Sequence, residues 1–297
     1  MRSLRHRCVQ LLLLATLLGL SCGQTLAQPT PTISPWNRIV MIGASASAGF
    51  VFSEPFGGTN TSKCRLNHYL DAALNVSHEP VRNLANAMFF LFPEQAGRMQ
   101  IEQAVKARPT LVVGVDFLFW FCYGRGTNDT ERLERFENGL KLLEDIKTPL
   151  VLGFLPDASF ATNSGIISPA QVASATALAA ANARLKTWAA TRPQVVLVPL
   201  SDFMRAAMAN QALTVHGQTL PAGKTRAILQ NDFLHPAPRG AAWLALGILD
   251  AVVTKLPAFR ADAVRWNPEE VFQIGTQAAL PRPKPPTTLP AEAPAAK

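Results

Sequence analysis

The chain has 297 residues, of which 48% are hydrophobic and 16% are charged, and its formal net charge is +8. This length is ample for one well-buried domain and marginal for two. Lysine and arginine are scattered along the chain, so the sequence has no basic stripe of the kind that nucleic-acid binding needs, and nucleic acid is excluded as an expected partner.

The first 27 residues have the pattern of a signal peptide. Three arginines precede an apolar run at 8–20, "CVQLLLLATLLGL", which is too short to span a membrane comfortably. Thr25-Leu26-Ala27 fits the small-x-small cleavage pattern. We therefore expect an exported chain, periplasmic or secreted, that begins at Gln28 and has no transmembrane segment. Its net charge falls to +5, because residues 1–27 hold three arginines and no acid. The alternative is lipoprotein processing, with a lipid on Cys22.

Beyond this segment, short apolar runs alternate with longer stretches of helical periodicity. The pattern predicts one domain over residues 36–275 and a Pro/Ala-rich disordered tail over residues 276–297. In chain order we predict a strand at 38–42, a helix at 63–74, a strand at 80–84, a helix at 95–106, a strand at 110–118, a helix at 129–146, a strand at 149–155, a helix at 169–190, a strand at 194–200, a hairpin at 213–220 and a helix at 236–255.

Continuous apolar strands separated by helices are typical of a parallel sheet that is covered on both faces. The expected fold class is therefore α/β, with three layers in the order α/β/α. Ligands of such sheets lie at the carboxyl ends of the strands. The segment "VMIGASASAGF" at 40–50 places Ser45 just past the carboxyl end of the first strand.

A serine at that place becomes a nucleophile only if a base removes its proton and a third group orients the base. His235 is the best candidate, because Asp232 precedes it by three residues and Pro236 begins a helix. A short loop could let the Asp232 carboxylate accept from Nδ1 and leave Nε2 facing the site. The alternative is a helix N-terminus capped by polar residues. The other histidines after the signal peptide lie in a helical pattern, before a strand and in a turn: His68, His78 and His216.

Two blocks of the sequence resemble the GDSL or SGNH family of serine esterases and lipases. Gly43-Ala44-Ser45 stands where the family has Gly-Asp-Ser after its first strand, and Asp232-Phe233-Leu234-His235-Pro236 matches the Asp-x-x-His block before its last helix. The resemblance implies a flavodoxin-like sheet, with Ser45 as nucleophile, His235 as base and Asp232 as the orienting acid. It implies no metal and no organic cofactor.

The second block of that family departs from its pattern in this chain. The family uses the backbone N–H of a glycine there to bind the oxyanion, together with the amide of the nucleophile. No glycine follows the strand at 80–84, so Ala85, Ala87 or Met88 would have to supply the N–H. The first two oxyanion-hole candidates are therefore Ser45 and Ala87.

The third block has two competing positions. The family has Gly-x-Asn-Asp at a strand end, and its Asn donates to the oxyanion. Gly114-Val115-Asp116 lies on the expected strand but carries a carboxylate, which would oppose an oxyanion when ionised. Gly126-Thr127-Asn128-Asp129 matches the letters but precedes a helix, where Asn and Asp are ordinary caps. We take Asn128 as the third oxyanion-hole candidate and Asp116 as a residue that lines the site in another role.

Two further features have two interpretations each. Cys64 and Cys122 could form a disulfide in an oxidising compartment, or they could be two separately buried thiols. The aromatic run "FLFWF" at 117–121 could line an acyl pocket or belong to the core. No Cys/His spacing resembles a metal site.

The sequence favours an exported serine hydrolase that cleaves an acyl or acetyl ester of a small molecule or a glycan. One alternative is a non-catalytic binding protein with the SGNH fold, which the loss of the family's Asp at Ala44 and of the glycine in its second block would fit. The other is an acyltransferase acting on an envelope glycan. Esterase and transferase share the nucleophile, so their sequences hardly differ.

Overall fold

The computed structural model describes residues 34–124, 126 and 128–280. The predicted signal peptide, the alternative lipid site at Cys22 and residues 281–297 of the predicted tail lie outside these residues. Within the described residues, no helix combines the length and the apolar character needed to cross a membrane.

A five-stranded parallel sheet forms the centre of the domain. Its strands follow the order β2-β1-β3-β4-β5, which is the flavodoxin-like order expected above. The three central strands consist of Ile, Val, Leu and Met, two of them with a terminal Gly, and both of their faces are covered. Their bounds are β1 Ile39–Met41, β2 Arg82–Asn83, β3 Leu111–Gly114, β4 Leu150–Gly153 and β5 Val195–Val198.

Helices cover both faces of this sheet. The α-helices of the described residues are α1 Ser45–Ala48, α2 Thr59–Lys63, α3 Leu66–Ala73, α4 Pro93–Lys106, α5 Phe119–Cys122, α6 Asp129–Leu142, α7 Ala175–Ala190, α8 Leu200–Met208, α9 Pro238–Lys255 and α10 Pro268–Ala278. Short 3₁₀ turns lie between these elements at Ala87–Leu91, Leu143–Asp145, Ser159–Ser164, Pro169–Gln171, Thr225–Ile228 and Ala261–Ala263.

Alternate residues of each strand point to opposite faces, and they divide the core into two clusters. Met41 and Val113 belong to the cluster that includes side chains of α3, α8, α9 and α10. Val40 and Val112 belong to the cluster that includes side chains of α4, α5, α6 and α7. The predicted three-layer α/β/α architecture is therefore confirmed.

The predicted strand at 110–118 is too long. The chain leaves the sheet at Gly114, whose carbonyl accepts from the Phe117 amide at 3.1 Å in a turn. The aromatic residues that follow form the short helix α5. An apolar run of this kind does not reveal where a buried strand becomes a buried helix, because both need the same side chains.

Helices α8 and α10 were not predicted from the sequence. Helix α10 continues to Ala278, so the predicted boundary between domain and tail at residue 275 is wrong for residues 276–278. Its start is capped by the side chain of Asn267, which accepts from the Glu269 and Glu270 amides. Gly275 lets the helix approach Tyr69 of α3 closely, because a Cβ at this position would lie 2.5 Å from Tyr69 Cδ1.

The predicted hairpin at 213–220 is confirmed. Strands β6 Leu213–Val215 and β7 Gln218–Leu220 pair antiparallel through the turn at His216 and Gly217. Both turn residues have positive φ, 45° and 75°, which is the condition for a type I′ turn that matches the strand twist.

The predicted disulfide is absent, because Cys64 and Cys122 are both free and buried in different surroundings. Cys64 follows α2, and its Sγ lies 3.7 Å from Nε2 of Gln230. Cys122 ends α5 within the cluster formed by α4 to α7. Burial raises the pKa of each thiol to about 11. The alternative of two separately buried thiols is the correct one.

Candidate active site

Ser45 is the first residue of α1, directly after the carboxyl end of β1. The chain turns at Gly43, whose φ is 138°. A side chain is excluded there for a second reason, since a Cβ on Gly43 would lie 2.1 Å from Oδ1 of Asp116. Glycine at position 43 therefore lets the chain pass over Asp116 and brings the half-buried Ser45 to the sheet edge.

The fold brings Ser45, His235 and Asp232 together from opposite ends of the chain. Nε2 of His235 lies 2.8 Å from Oγ of Ser45. Nδ1 of the same ring lies 2.7 Å from Oδ2 of Asp232. His235 and Asp232 are both buried, whereas Ser45 is only half-buried. This is the geometry in which an imidazole can remove the proton of a serine hydroxyl.

The charge state of Asp232 sets the tautomer of His235. Burial acts to raise the pKa of Asp232, but the hydrogen bonds from the His235 ring and from the Leu234 and His235 amides outweigh it, so the pKa lies below its ordinary value. The ionised carboxylate can only accept, so the proton of a neutral His235 resides on Nδ1. Nε2 is then free to accept from the Ser45 hydroxyl.

The loop before α9 fixes the orientation of His235. Oδ1 of Asp232 accepts from the amides of Leu234 and His235, both at 3.0 Å. Phe233 between them adopts a φ of 60°, a conformation that residues with side chains seldom take. These contacts make Asp232 an anchor for the loop as well as a partner for the ring.

Gln230 connects this loop to the loop after α1 and was missed in the sequence. Its side-chain Nε2 donates to the carbonyl oxygens of Phe50 at 2.7 Å and Pro236 at 3.0 Å. Its backbone N–H donates to the carbonyl of His235 at 2.9 Å. The Phe50 ring also lies 4.6 Å from the His235 ring. The polar residue just ahead of the Asp-x-x-His block was the signal that could have revealed this role.

Asp116 lies beneath α1 and lines the same pocket as Ser45. Its Oδ1 accepts from the Ala44 amide at 3.1 Å and from the Ser47 hydroxyl at 2.6 Å, and its Oδ2 accepts from the Ser47 amide at 3.1 Å. Burial raises the pKa of Asp116 above its ordinary value, although these hydrogen bonds oppose the shift. Ala44 has no side chain with which to cap α1, and Asp116 takes that part from another element.

Gln100 of α4 holds the residue before this helix. Its Oε1 accepts from the Gly43 amide at 2.7 Å, and its Nε2 donates to the Gly43 carbonyl at 2.9 Å. Sequence reasoning missed both Gln100 and Ser47. Gln100 shares the buried face of its helix with Ile101 and Ala104, and a glutamine on an apolar face was the available signal.

The three oxyanion-hole candidates differ in their positions. Within the described residues, the amide of Ser45 has no hydrogen-bond acceptor, and Ser45 lines the pocket. Ala87 begins the 3₁₀ turn that follows β2 and lines a second cavity together with Ala48 and Gly49. Asn128 is exposed at the start of α6, where its side chain accepts from the Glu131 amide at 3.0 Å. The structure does not bring Asn128 to Ser45, because it serves as a helix cap.

The amides around Ala87 are already engaged. Those of Ala85 and Met88 donate to the side chains of Asn83 and Asn86, and that of Asn86 donates to the Gly43 carbonyl at 3.1 Å. Among the described residues, the amide of Ala87 has no such acceptor. Of the residues 85–88, Ala87 is therefore the one whose N–H is free for a ligand.

The remaining histidines lie apart from Ser45. Nε2 of His78 lies 3.3 Å from Oδ1 of Asp71, and the His216 ring stacks on Trp266 at 3.6 Å. His68 is half-buried in α3. Among the described residues, no group of three or more His, Cys, Asp or Glu side chains is placed to hold a metal ion.

An apolar pocket opens beside Ser45. Its polar lining consists of Ser45, Asp116 and His235, and the other lining residues are apolar or aromatic. Phe119 and Trp120 belong to this lining, whereas Phe117 and Phe121 pack against each other and edge-to-face on Phe89 in the core. The run at 117–121 is therefore divided between the pocket wall and the core.

Comparison with known proteins supports the fold. No protein-family model and no curated protein matches the chain. Among solved structures, a lipase/acylhydrolase from Enterococcus faecalis is 15% identical with a TM-score of 0.51, and the likeness covers 78% of this chain and 98% of that one.

Two other solved structures are less similar. The catalytic domain of peptidoglycan O-acetyltransferase A from Streptococcus pneumoniae is 13% identical with a TM-score of 0.43, covering 74% of this chain and 95% of that domain. TesA is 17% identical with a TM-score of 0.42, and the likeness covers 74% of this chain and 100% of TesA. The likeness to the Enterococcus protein, together with the strand order, shows that this chain has the SGNH-hydrolase fold.

Proposed function

We propose that this protein is an exported serine hydrolase that cleaves acyl or acetyl esters. The observation that carries the proposal is the hydrogen-bonded chain from Ser45 Oγ to His235 Nε2, 2.8 Å, and from His235 Nδ1 to Asp232 Oδ2, 2.7 Å. It lies at the carboxyl edge of a parallel sheet, where ligands of such folds bind, and it faces an apolar pocket.

The first half-reaction transfers the acyl group to the enzyme. Ser45 Oγ attacks the ester carbonyl carbon while its proton passes to Nε2 of His235, and the carbonyl oxygen becomes an oxyanion. When the intermediate collapses, the bond to the alcohol oxygen breaks and the departing alcohol takes the proton from Nε2. Asp232 stays ionised throughout and stabilises the imidazolium. The products are a free alcohol and an ester of Ser45.

The second half-reaction restores the enzyme. His235 takes a proton from a water molecule, whose oxygen attacks the carbonyl carbon of the acyl-Ser45 ester. Collapse of this intermediate breaks the bond to Ser45 Oγ, which recovers its proton from His235, and the carboxylic acid leaves. In both halves the oxyanion needs N–H donors, and we assign this part to the amides of Ser45 and Ala87.

Labelling with a fluorophosphonate tests this proposal, because the reagent forms a bond only with an activated serine. We expect the native protein to be labelled, and Ser45→Ala and His235→Ala to lose the label. His216→Ala is the matched control, because this ring lies in the hairpin turn away from Ser45, and it should label like the native protein. Circular dichroism establishes that each variant is folded. Folded native protein that takes no label would overturn the proposal and favour a binding protein.

Hydrolysis is then separated from acyl transfer by the product. With p-nitrophenyl acetate as donor and a soluble glycan as acceptor, a hydrolase releases acetate at the rate at which it releases nitrophenol. Nitrophenol release matched by acetylated glycan instead would contradict the hydrolase and favour the transferase.

Export is tested by the N-terminus of the mature chain. We expect the full-length protein, expressed in a bacterial host, to leave the cytoplasm and to begin at Gln28. A lipid on Cys22 would support export by the alternative route. An uncleaved chain retained in the cytoplasm would overturn this part of the proposal.

A further inference from the structure

The pocket beside Ser45 has apolar walls that come from distant parts of the chain. Phe119 and Trp120 belong to α5, and Leu200 and Met204 belong to α8. Ile228 ends the 3₁₀ turn before the His235 loop, and Leu244 belongs to α9. These walls meet Ser45 and His235 at one end, so a ligand in the pocket has direct access to the reacting atoms.

The composition of these walls selects the kind of group that fits. Away from Ser45, Asp116 and His235, no charged residue lines the pocket. The hydrogen-bonding capacity of Asp116 is already directed to Ala44 and Ser47. A sugar or a charged headgroup would lose its water there without gaining partners, whereas a hydrocarbon chain gains from leaving water.

The side chains of the walls decide how long a chain the pocket accepts. Its volume is about 70 Å³, and a larger wall side chain leaves less of it to the ligand.

Met204 is the wall residue best placed to set this length. Its neighbour Phe203 is wedged against α9, since a Cβ on Gly247 would lie 2.3 Å from Phe203 Cζ. Met204 is buried at the pocket, and a methionine side chain is unbranched and adapts to what lies against it. Shortening it therefore enlarges the pocket without removing a close contact between helices.

We propose that this pocket holds the acyl chain of the ester and that Met204 determines how long a chain it accepts. This rests on the proposed hydrolase function, to which it adds a residue that determines specificity. Each methylene placed in the pocket contributes about fourfold to kcat/KM, because burying one methylene is worth about 0.8 kcal/mol. The value of kcat/KM therefore rises about fourfold with each added carbon until the pocket is filled.

The experiment measures kcat/KM for p-nitrophenyl esters from two to twelve carbons, below their micellar concentrations. For the native protein we expect kcat/KM to rise with chain length and to pass through a maximum where the acyl chain fills the pocket. Met204→Ala should move the maximum to longer chains, and Leu200→Phe, at a half-buried wall position, should move it to shorter ones. Met99→Ala is the matched control, since Met99 is exposed on α4 and should leave the maximum in place.

Binding separates failure of the pocket from failure of the hydrolase. The Ser45→Ala variant cannot cleave the ester, but in calorimetry it should bind octanoate more tightly than butanoate. The double variant with Met204→Ala should prefer longer carboxylic acids than Ser45→Ala alone. Ester cleavage with no dependence on chain length, or with a maximum that Met204→Ala and Leu200→Phe both leave unmoved, would overturn the acyl site and spare the hydrolase. No fluorophosphonate label together with chain-length-dependent binding would overturn the hydrolase and support the pocket.

Discussion

The turn that carries Ser45 is held by side chains from other elements. Gln100 of α4 makes two hydrogen bonds to the Gly43 peptide groups, and Asp116 after β3 accepts from Ala44 and Ser47. Buried polar groups that lose a partner cost about 1–3 kcal/mol each, so these contacts restrict the turn to one geometry. The position of Ser45 is therefore determined by side chains from other elements that bind the backbone around it.

Replacing Ala87 by proline removes the N–H that we assign to the oxyanion hole. Ala87 is the first residue of a 3₁₀ turn, where proline is tolerated, and Asn86 before it has φ −134° and ψ 126°, which suits a residue that precedes proline. We expect kcat for an activated ester to fall by about 10²–10³-fold, the usual cost of one oxyanion donor. The free energy of unfolding should stay near that of the native protein.

Ala87→Gly is the control for this change, because it alters the side chain at the same position and keeps the N–H. It should retain most of the activity. An Ala87→Pro protein that is folded and as active as Ala87→Gly would mean that the second donor lies elsewhere.

Asp116 gives the stability of the protein a pH dependence. Its pKa in the folded protein is raised by burial, so in the pH range above about 4 the folded state holds a proton that the unfolded state has lost. Stability that comes from this carboxyl group is thus present at low pH and is lost as the pH rises through the folded pKa. The native protein should lose free energy of unfolding relative to Asp116→Asn across that range.

Urea unfolding of both proteins at a series of pH values measures this difference, since contributions of the other groups cancel in the comparison. The prediction would be contradicted if the difference in free energy of unfolding between the two proteins stayed constant with pH. It would also be contradicted if the native protein became more stable relative to Asp116→Asn as the pH rises.

At the scale of elements, α10 is part of the folded domain and packs on α3. Gly275 faces Tyr69, and a Cβ there would lie 2.5 Å from Cδ1 and 2.8 Å from Cε1 of that ring. Tyr69 is itself fully buried, so its ring has little space into which to withdraw. The close contact of the two helices therefore depends on the missing side chain at position 275.

Gly275→Val should separate α10 from α3. We expect the free energy of unfolding in urea to fall by about 1–3 kcal/mol, as for other overpacked interiors. Gln277→Val, at an exposed position of the same helix, introduces the same side chain away from Tyr69 and should change stability by less than about 0.5 kcal/mol. Equal effects of the two substitutions would show that the contact with Tyr69 contributes nothing.

At the scale of the whole molecule, the two cysteines report on how the domain is held together. They are buried apart from each other, and burial raises their pKa values to about 11, so at neutral pH both are protonated and shielded. The described domain is thus stabilised by its two core clusters without a cross-link between these residues.

Alkylation without reductant tests this arrangement. The folded protein should take up iodoacetamide slowly, because the thiolate is the reactive form and little of it is present. After denaturation in the absence of reductant, mass spectrometry should find both Cys64 and Cys122 alkylated. If Cys64 and Cys122 of the denatured protein were alkylated only after reduction, the two residues would form a disulfide and the arrangement described here would be contradicted.

Local patterns of the sequence and their order along the chain were sufficient to predict the fold class. Apolar strands between amphipathic helices predicted the parallel three-layer architecture, and the spacing of Asp232 and His235 in one short loop predicted their contact. The hairpin turn at His216 and Gly217 was equally local. Each of these features depends on residues that are neighbours along the chain, and such features can be predicted from a single sequence.

Only the tertiary structure decided the features that join distant residues. It separated Asn128 from Ser45, kept Cys64 and Cys122 apart, and placed Asp116 and Gln100 against the turn that carries Ser45. The sequence by itself determined which residues could carry a serine hydrolase and in what order they occur. Which amides remain free, and which residues line the pocket beside Ser45, followed from packing between segments that lie far apart in sequence, because periodicity and spacing do not specify such contacts.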